Sequence, residues 1–379
     1  MTSAAGPGSS PDPRALDDLI VQEVAAQHRA LIEERGAQLA GIAPEAEVLV
    51  ASLQQYLAGG KLLRPRFCFF GGLTALSGPP TPEQVTALAR CGAAIELVQA
   101  AALMHDDVID HSPTRRGRPA MHEEHAAVHR ASDLDGSAEE FGVAVAIVLG
   151  DLTLSWAEDL FTAALDGTDP SLRARAEFDA LRTEVMTGQY LDILHQAGGL
   201  DSDASGDAEA AALAVIRWKT VPYTVLRPVR MGAALMGADD EALELLSRWA
   251  IEVGTAFQLR DDLLSVVGDE DSTGKPTGGD IVEGKRTVLL ARTQAQAGEA
   301  EQALLRRTVG VAQADPADVQ AVHDLMVRTG AVRSVAEDVR ERARAAQALL
   351  EGAERLGPVG RAGLARLAEH ATDTTQLPG

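Results

Sequence analysis

The sequence predicts an all-α fold, and three observations support this prediction. The strong helix formers Ala, Leu, Glu and Arg are abundant, whereas aromatic residues, which favour strands, make up only 3% of the chain. Apolar residues recur at spacings of three and four, as on the buried face of a helix. Because 46% of the 379 residues are hydrophobic, the chain can also form a large buried core.

The order of elements follows from this periodicity and from its breaks. Residues 1–14, rich in Gly, Ser and Pro, are predicted to be a disordered N-terminal tail. Residues 15–379 are predicted to be one helical domain, because neither a composition shift nor a repeat divides them. Helices are predicted at residues 15–35, 44–58, 63–77, 83–109, 140–164, 171–196, 208–235, 240–268, 284–297, 300–313, 317–329 and 333–369.

Charge and cysteine content limit the partners and the compartment. The formal net charge of -22 would repel a polyphosphate backbone, so we expect no nucleic-acid partner. Two cysteines, Cys68 and Cys91, give no disulfide framework and fit a reducing cytoplasm. The chain has no uninterrupted apolar run of about 18 residues and no secretory signal pattern at its start, so we expect no transmembrane segment.

An acidic motif follows a long apolar helix in the first third of the chain. Asp106 and Asp110 are four residues apart, so on a helix they share one face and could hold a hard cation together, with Asp107 beside them. Three carboxylates at the C-terminal end of a helix oppose its dipole and one another unless cations are bound. The alternative for this motif alone is a solvated acidic helix end.

A second acidic motif repeats the pattern later in the chain. Gln258-Leu259-Arg260-Asp261-Asp262 again follows an apolar helix. If the two motifs face each other across a cavity, their carboxylates could hold two or three Mg²⁺ ions with phosphate oxygens completing the coordination.

Cationic residues that could bind a diphosphate recur next to glycines and aspartates. Lys61 and Arg64 follow the pair Gly59-Gly60 and would share a face if the segment is helical. Arginine offers forked contacts to phosphate oxygens and lysine a compact charge. For any one of these residues the alternative is a solvated surface position. The further candidates are Arg115, Arg116, Lys219, Lys275 and Lys285.

In this order, the motifs resemble those of the trans-isoprenyl diphosphate synthases, the polyprenyl synthetase family, and among them bacterial geranylgeranyl diphosphate synthases. The resemblance extends over residues 59–287. The family's Asp-Asp-x-x-Asp motif is matched by Asp106, Asp107 and Asp110, and its paired arginines by Arg115 and Arg116. Other matches are Gly-Lys-x-x-Arg-Pro at 60–65, Glu-Leu-Val-Gln at 96–99, Gly-Gln-Tyr-Leu-Asp at 188–192, Lys219-Thr220 and Phe257-Gln258.

The resemblance implies an isoprenoid synthase fold with a central active-site cavity, a homodimer, and condensation of isopentenyl diphosphate with dimethylallyl, geranyl or farnesyl diphosphate. It implies that Mg²⁺ is bound by Asp106, Asp110 and Asp261, with Asp107 and Asp262 in support. The implied contacts to the allylic substrate are Arg115, Gln189, Lys219, Thr220, Gln258, Lys275 and Lys285. The implied contacts to isopentenyl diphosphate are Lys61, Arg64, Gln99 and Arg116. The released diphosphate is expected to remove the final proton.

Two positions depart from the family pattern. The second acidic motif usually ends in a third aspartate, whereas this chain has Ser265. Gly279 also stands where an acidic residue is common. The role of position 265 is therefore open.

Product length should depend on the space beneath the first motif. Ala102 and Leu103 lie about one turn before Asp106, with Ala101 adjacent, so small side chains leave the pocket open. The expected product is geranylgeranyl diphosphate (C20), and the alternatives are farnesyl or longer polyprenyl diphosphates.

Two other classes of protein remain. A terpene cyclase needs no second diphosphate site, which Lys61, Arg64 and Arg116 speak against. A non-catalytic subunit of a heteromeric synthase would account for Ser265, but such subunits usually lose the first motif.

Overall fold

The computed structural model describes residues 12–165, 171–198, 208–267, 279–311 and 313–375. These residues are mostly helical and contain one pair of two-residue strands, which confirms the predicted all-α fold. The α-helices are α1 Pro13–Ile42, α2 Glu47–Leu57, α3 Leu63–Leu73, α4 Pro82–Ile109, α5 Met121–Ala131, α6 Ala138–Leu165, α7 Ser171–Gln196, α8 Ala208–Val215, α9 Arg227–Leu235, α10 Asp240–Val267, α11 Gly279–Glu283, α12 Val288–Gln296, α13 Glu299–Thr308, α14 Pro316–Arg328, α15 Ala331–Glu351 and α16 Pro358–Ala371. The strands are β1 Thr114–Arg115 and β2 Arg118–Pro119, a 3₁₀ turn spans Pro44–Ala46, and π-helical turns span Ile216–Thr220 and Pro222–Leu226.

Helix α4 begins at a capping box. The hydroxyl oxygen of Thr81 accepts from the backbone N–H of Gln84, and the Gln84 side chain accepts from the backbone N–H of Thr81. Pro82 takes the first helical position, where its missing N–H costs no hydrogen bond. These signals fix the start of the helix whose other end carries the first acidic motif.

Helix α4 packs antiparallel to α6. Arg90 Nη1 donates to the carbonyl oxygen of Ala163 at 2.9 Å near one end, and His105 lies against Gly150 near the other. A Cβ added at Gly150 would lie 2.2 Å from His105 Nε2, so glycine at this position leaves room for the His105 ring against α6. This packing fixes the rotation of α4 and so the face on which its last turn presents carboxylates.

Several helix boundaries differ from the predicted ones. The predicted helix 333–369 is two helices, α15 and α16, because α15 ends at Glu351 with Gly352 as its C-cap. The predicted start at residue 284 is also wrong, since α12 begins at Val288 with Thr287 as its N-cap. Residues 1–11 of the predicted tail lie outside the described residues, whereas Pro13 and Arg14 already belong to α1.

Helix α5 was missed by the periodicity analysis. Its first turn carries Glu123 and Glu124 and its last turn His129 and Arg130, which complements the helix dipole. This charge order, and not a long apolar stripe, is the signal in the sequence that would have predicted the helix.

The contacts divide the chain into two compact units. The described residues within Met1–Asp179, Arg227–Leu246 and Ala353–Leu367 form the first unit, and those within Ala180–Leu226, Ser247–Gly352 and Ala368–Gly379 form the second. In the first unit, the buried Phe67 and Phe70 lie on α3, which packs closely on α9. In the second unit, α12 packs against α8 and α15. The single helical domain predicted over residues 15–379 stays a prediction.

Among the described residues, α4 and α6 have the length and apolar composition of a membrane span, which by itself is weak evidence for one. The apolar segment of α4 is 78% buried, as in a core helix, whereas that of α6 is only 39% buried. Ile147 and Val148 on α6 are 43% and 51% exposed. Helix α6 therefore buries one face in the first unit and exposes apolar side chains on another.

Candidate active site

The first acidic motif lies where α4 ends, in the first unit. Asp106 is in the last turn, and Asp110 follows with near-helical backbone angles, its N–H donating to the Asp106 carbonyl at 2.8 Å. Both side chains are half-buried and lie on one face of the helix. Because the C-terminal end of a helix repels negative charge, two carboxylates here favour a bound cation.

Asp107 is engaged differently from its two neighbours. Its side chain is buried, and Arg115 Nε donates to Oδ1 at 2.9 Å and to Oδ2 at 3.2 Å, while Arg115 Nη2 also donates to Oδ1. Burial raises the pKa of Asp107, and the hydrogen bonds and charge of Arg115 oppose that rise. Asp107 thus forms an internal ion pair, and a contact of Arg115 with diphosphate stays a prediction.

A β-hairpin that the sequence analysis missed presents the paired arginines. Its strands pair Thr114 with Pro119 and Arg115 with Arg118. Arg116 and Gly117 form the two-residue turn with φ values of 53° and 73°, which is the type I′ pattern that matches the twist of a hairpin. The two arginines therefore have different surroundings, with Arg115 half-buried and Arg116 exposed.

Arg116 lies against the glycine loop that precedes α3. A Cβ at Gly60 would lie 2.9 Å from Arg116 Nη1, and Gly59 and Gly60 have φ values of 87° and 88°. The positive φ values favour glycine at both positions, and the absence of a side chain at Gly60 leaves room for the Arg116 guanidinium group. Lys61 is exposed and precedes α3, so it does not share a helix face with Arg64.

Arg64 and Gln99 meet between α3 and α4. Arg64 Nη1 donates to Gln99 Oε1 at 2.8 Å, and both side chains are about nine-tenths buried. The hydrogen bond orients the amide of Gln99 and links two helices of the first unit. The structure thus brings together two of the four residues predicted for isopentenyl diphosphate.

Two buried polar groups beside this pair were missed. A small cavity is lined by Tyr56, Glu96, Gln99, Leu103 and Arg116, among others. Glu96 Oε2 and Tyr56 Oη are buried without a hydrogen-bond partner among the described residues. Burial raises the pKa of Glu96, opposed by Arg64 and Arg116, and burial likewise raises the pKa of Tyr56. The sequence could have predicted the position of Glu96, because it lies three residues before Gln99 and so on the same helix face.

The two alanines predicted for the chain-length pocket are not equivalent. Ala101 is fully buried, whereas Ala102 is partly exposed, as is Leu103. Of the two alanines, only Ala102 is therefore partly accessible, and it lies about one turn before Asp106.

In the second unit, Lys219 and Thr220 lie in a π-helical turn, a feature often found at functional sites. A Cβ at Gly188 of α7 would lie 2.4 Å from the carbonyl oxygen of Trp218, so glycine allows the two backbones to touch. Lys219 Nζ donates to Asp192 Oδ2 at 2.5 Å. Gln189, which follows Gly188, thus lies on the same stretch of α7.

The second acidic motif lies near the end of α10. Thr220 Oγ1 donates to Gln258 Oε1 at 2.8 Å, and Gln258 Nε2 donates to Asp262 Oδ1 at 2.6 Å. Asp262 is buried, and its pKa is raised by burial first and then by the charges of Asp280 and Asp261. Asp261 is exposed. Of this motif, Asp261 is accessible to a ligand, and Asp262 belongs to an internal hydrogen-bond chain.

Asp280 is a further residue that the sequence analysis missed. Ser265 Oγ donates to Asp280 Oδ2 at 2.5 Å, and Lys285 Nζ donates to Asp280 Oδ1 at 2.9 Å. The structure thus connects Ser265 to the predicted diphosphate ligand Lys285. Lys275, also predicted as a substrate contact, lies outside the described residues.

The donor groups of both motifs fit a divalent cation that also binds phosphate. Among the described residues, no group of three or more His, Cys, Asp or Glu side chains could hold a metal ion on its own. Mg²⁺ in phosphate-binding sites is typically held by one or two carboxylates, with water and phosphate oxygens completing the shell. The carboxylates of Asp106 and Asp110 on α4, and of Asp261 on α10, match this requirement.

Comparison with known proteins identifies the class and the family. The all-α fold and the aspartate-rich motifs at helix ends, together with relatives that are prenyl diphosphate synthases, define the chain as a prenyltransferase. The model of the polyprenyl synthetase family matches residues 46–326, and the chain belongs to this family.

Its relatives include synthases of different product length. A geranylfarnesyl diphosphate synthase of Natronomonas pharaonis is 30% identical over 79% of this chain and 82% of its own. A geranylgeranyl diphosphate synthase of Sulfolobus acidocaldarius is 29% identical over 73% of this chain and 76% of its own. The crystal structure of geranylgeranyl pyrophosphate synthase from Corynebacterium glutamicum, complexed with isoprenyl diphosphate and magnesium, is 35% identical, with a TM-score of 0.85 over 94% of this chain and 99% of its own.

Proposed function

We propose that the chain is an all-trans short-chain prenyl diphosphate synthase that condenses isopentenyl diphosphate with an allylic diphosphate, with geranylgeranyl diphosphate as its product. The observation that carries the proposal is the pair Asp106 and Asp110, which share one face at the C-terminal end of α4 while Asp107 is occupied by Arg115. Two carboxylates in that position suit a cation that binds a diphosphate oxygen.

In this proposal, both units provide carboxylates for metal ions, and the second unit also provides the contacts to the allylic substrate. In the first unit Asp106 and Asp110, and in the second unit Asp261, would hold Mg²⁺ ions, two or three in all, which would neutralise the charge that develops on the leaving diphosphate. Lys219 and Lys285 contact oxygens of the allylic diphosphate. Gln189, Thr220 and Gln258 line the site of the allylic substrate.

The buried hydrogen bond between Arg64 and Gln99 supports the assignment of the second substrate. In the proposal, Lys61, Arg64 and Arg116 bind the diphosphate of isopentenyl diphosphate, and Gln99 holds its apolar end so that the double bond attacks the allylic cation. Arg116 and the loop before α3 are already adjacent at Gly60. Arginine provides forked hydrogen bonds to phosphate oxygens, which suits this role.

The C20 product is supported by the partly exposed Ala102, which leaves space one turn before Asp106. The named relatives include a geranylgeranyl and a geranylfarnesyl diphosphate synthase, so the neighbouring alternative is a C25 product. The apolar face of α6 with Ile147 and Val148 exposed supports a homodimer, because such a face is stabilised by burial against another chain. The compartment we propose is the cytoplasm.

The test is to incubate the purified chain with Mg²⁺, labelled isopentenyl diphosphate and each of dimethylallyl, geranyl and farnesyl diphosphate, and to chromatograph the products. We expect products ending at C20 from all three allylic substrates. Chains that end at C15 or C25 would refute the C20 product. A cyclic hydrocarbon formed without isopentenyl diphosphate would indicate a terpene cyclase, and a chain that is inactive alone but active with a second subunit would indicate a heteromeric enzyme.

A further inference from the structure

Ser265 lies one turn after Asp261 on α10, and its hydroxyl has two possible acceptors. Oγ is 2.5 Å from Asp280 Oδ2 and 2.8 Å from the carbonyl oxygen of Asp262. A hydroxyl carries one proton and donates to one acceptor at a time. Because hydrogen bonds to a carboxylate are shorter and stronger than those to a neutral carbonyl, Asp280 is the main acceptor.

The same carboxylate binds Lys285 through its other oxygen. Lys285 Nζ is 2.9 Å from Asp280 Oδ1, and the backbone N–H of Lys285 donates to the Asp280 carbonyl at 3.0 Å. Burial lowers the pKa of Lys285, but the charges of Asp280 and Glu283 raise it by more, so the net shift is upward. The ammonium group is therefore charged at neutral pH and its place depends on these carboxylates.

Lys285 has a second partner that would hold it in a different place. Nζ is also 2.9 Å from Glu283 Oε2, but the Glu283 side chain is 40% exposed, whereas that of Asp280 is 13% exposed. Exposed ion pairs contribute little and hold side chains loosely. The less exposed carboxylate therefore determines where the ammonium group lies, and Ser265 holds that carboxylate from its other side.

We propose that Ser265 is a positioning residue, whose hydroxyl fixes Asp280 and thereby places the Lys285 ammonium group for contact with a diphosphate oxygen. The inference rests on the proposed function, in which Lys285 contacts the allylic diphosphate. It also gives a physical reason for a serine at the end of the second acidic motif. A carboxylate at position 265 would repel Asp262 and Asp280, whereas a hydroxyl donates to Asp280.

The experiment compares Ser265→Ala and Ser265→Thr with a control on the same helix. Thr255 Oγ1 donates to the Ile251 carbonyl at 2.7 Å, so Thr255→Val also removes a hydroxyl from α10 without reaching Asp280. The first measurement is calorimetric binding of inorganic pyrophosphate in the presence of Mg²⁺, with folding checked by circular dichroism. We expect Ser265→Ala to weaken binding by about tenfold, as for loss of a hydrogen bond to a charged group. Ser265→Thr and Thr255→Val are expected to bind as wild type does.

A double-mutant cycle tests whether the effect passes through Asp280. Asp280→Asn should weaken pyrophosphate binding at least as much as Ser265→Ala, and adding Ser265→Ala to it should cause no further loss. In steady-state kinetics, Ser265→Ala should raise KM for the allylic diphosphate by a similar factor and leave KM for isopentenyl diphosphate unchanged.

The inference is overturned if Ser265→Ala binds pyrophosphate as tightly as wild type, if Ser265→Thr loses as much as Ser265→Ala, or if the two losses in the cycle add. These outcomes differ from failure of the proposed function, which would appear as wild-type protein that forms no prenyl product. The calorimetric arm needs no turnover, so it tests the positioning role in either case.

Discussion

Arg115 and Asp107 form an ion pair across eight residues, connecting the hairpin after α4 to the last turn of that helix. The carboxylate of Asp107 is fully buried, and the guanidinium group contacts both of its oxygens. The pair removes the middle aspartate of the first motif from the face that carries Asp106 and Asp110. It also anchors the hairpin whose turn presents Arg116.

Removing Arg115 should therefore destabilise the protein as well as affect any substrate contact. Arg115→Ala leaves a buried carboxylate without its cation, and we expect the free energy of unfolding to fall by about 3–5 kcal/mol. Urea denaturation measures the loss. Adding Asp107→Asn should recover part of it, because the uncompensated charge is then gone. A single variant as stable as wild type would contradict the buried ion pair.

Gln99 should affect one substrate and not the other. Gln99→Leu removes the acceptor of Arg64 Nη1, so we expect KM for isopentenyl diphosphate to rise roughly tenfold, as for the loss of a hydrogen bond to a charged group. The KM for the allylic diphosphate should stay unchanged. Gln84→Ala on the same helix is the control. Because Gln84 caps the start of α4, its loss should lower stability and leave both KM values unchanged. Equal effects on both KM values would refute the assignment of Gln99 to isopentenyl diphosphate.

Phenylalanine at the two alanines of α4 should have different effects. Ala102→Phe places a ring at a partly exposed position one turn before Asp106, so the product should be shorter, C15 or less, when labelled products are chromatographed. Ala101→Phe places the same ring in a fully buried position and should lower the free energy of unfolding by about 1–3 kcal/mol through overpacking. Unchanged product length in Ala102→Phe would mean that the floor of the pocket lies elsewhere.

The raised pKa of Glu96 should make the free energy of unfolding fall as pH rises. Burial raises its pKa above the ordinary value of 4.5, opposed by Arg64 and Arg116, so the folded state favours the protonated acid. A raised pKa in the folded state contributes stability below the unfolded-state pKa, and this contribution is lost as pH rises through the folded-state value. Glu96→Gln removes the titration. Thermal unfolding of both proteins is measured from pH 5 to 8. The stability of the variant relative to that of wild type should increase as pH increases.

Glu177, in the same unit, provides a control because its pKa is shifted in the opposite direction. Burial raises its pKa, but the hydrogen bonds and charges of Arg230 and Arg227 lower it by more, so the net shift is downward. Its contribution to stability is present above the unfolded-state pKa and is lost as pH falls through the folded-state value. Glu177→Gln should therefore be less stable than wild type at pH 7, and the difference in stability should become smaller in acid. If both variants changed with pH in the same direction, the shift inferred for Glu96 would be wrong.

Helical periodicity was enough to predict the architecture around the first motif. Apolar spacing predicted a helix at residues 83–109, close to the observed α4, and the i,i+4 spacing of Asp106 and Asp110 placed them on one face. These properties depend on residues within one or two turns of each other, so they can be read from a local pattern.

Other parts of the site could not be predicted in this way. The alternating pattern needed for a strand is absent from two-residue strands, so the hairpin with Arg116 at its turn was missed. Asp280 was missed because its role comes from Ser265, fifteen residues earlier in the chain.

The sequence by itself determined the fold class, the positions of the two acidic motifs and the family to which they belong, because these depend on residue type and short spacing. The tertiary structure decided which charged groups are paired. It assigned Arg115 to Asp107, Arg64 to Gln99 and Lys285 to Asp280. Arg64 and Gln99 are 35 residues apart, and the other two pairs each join a helix to the turn or hairpin that follows it. Such pairings depend on how these segments pack and on the cost of burying a charge without a partner, neither of which helical periodicity contains.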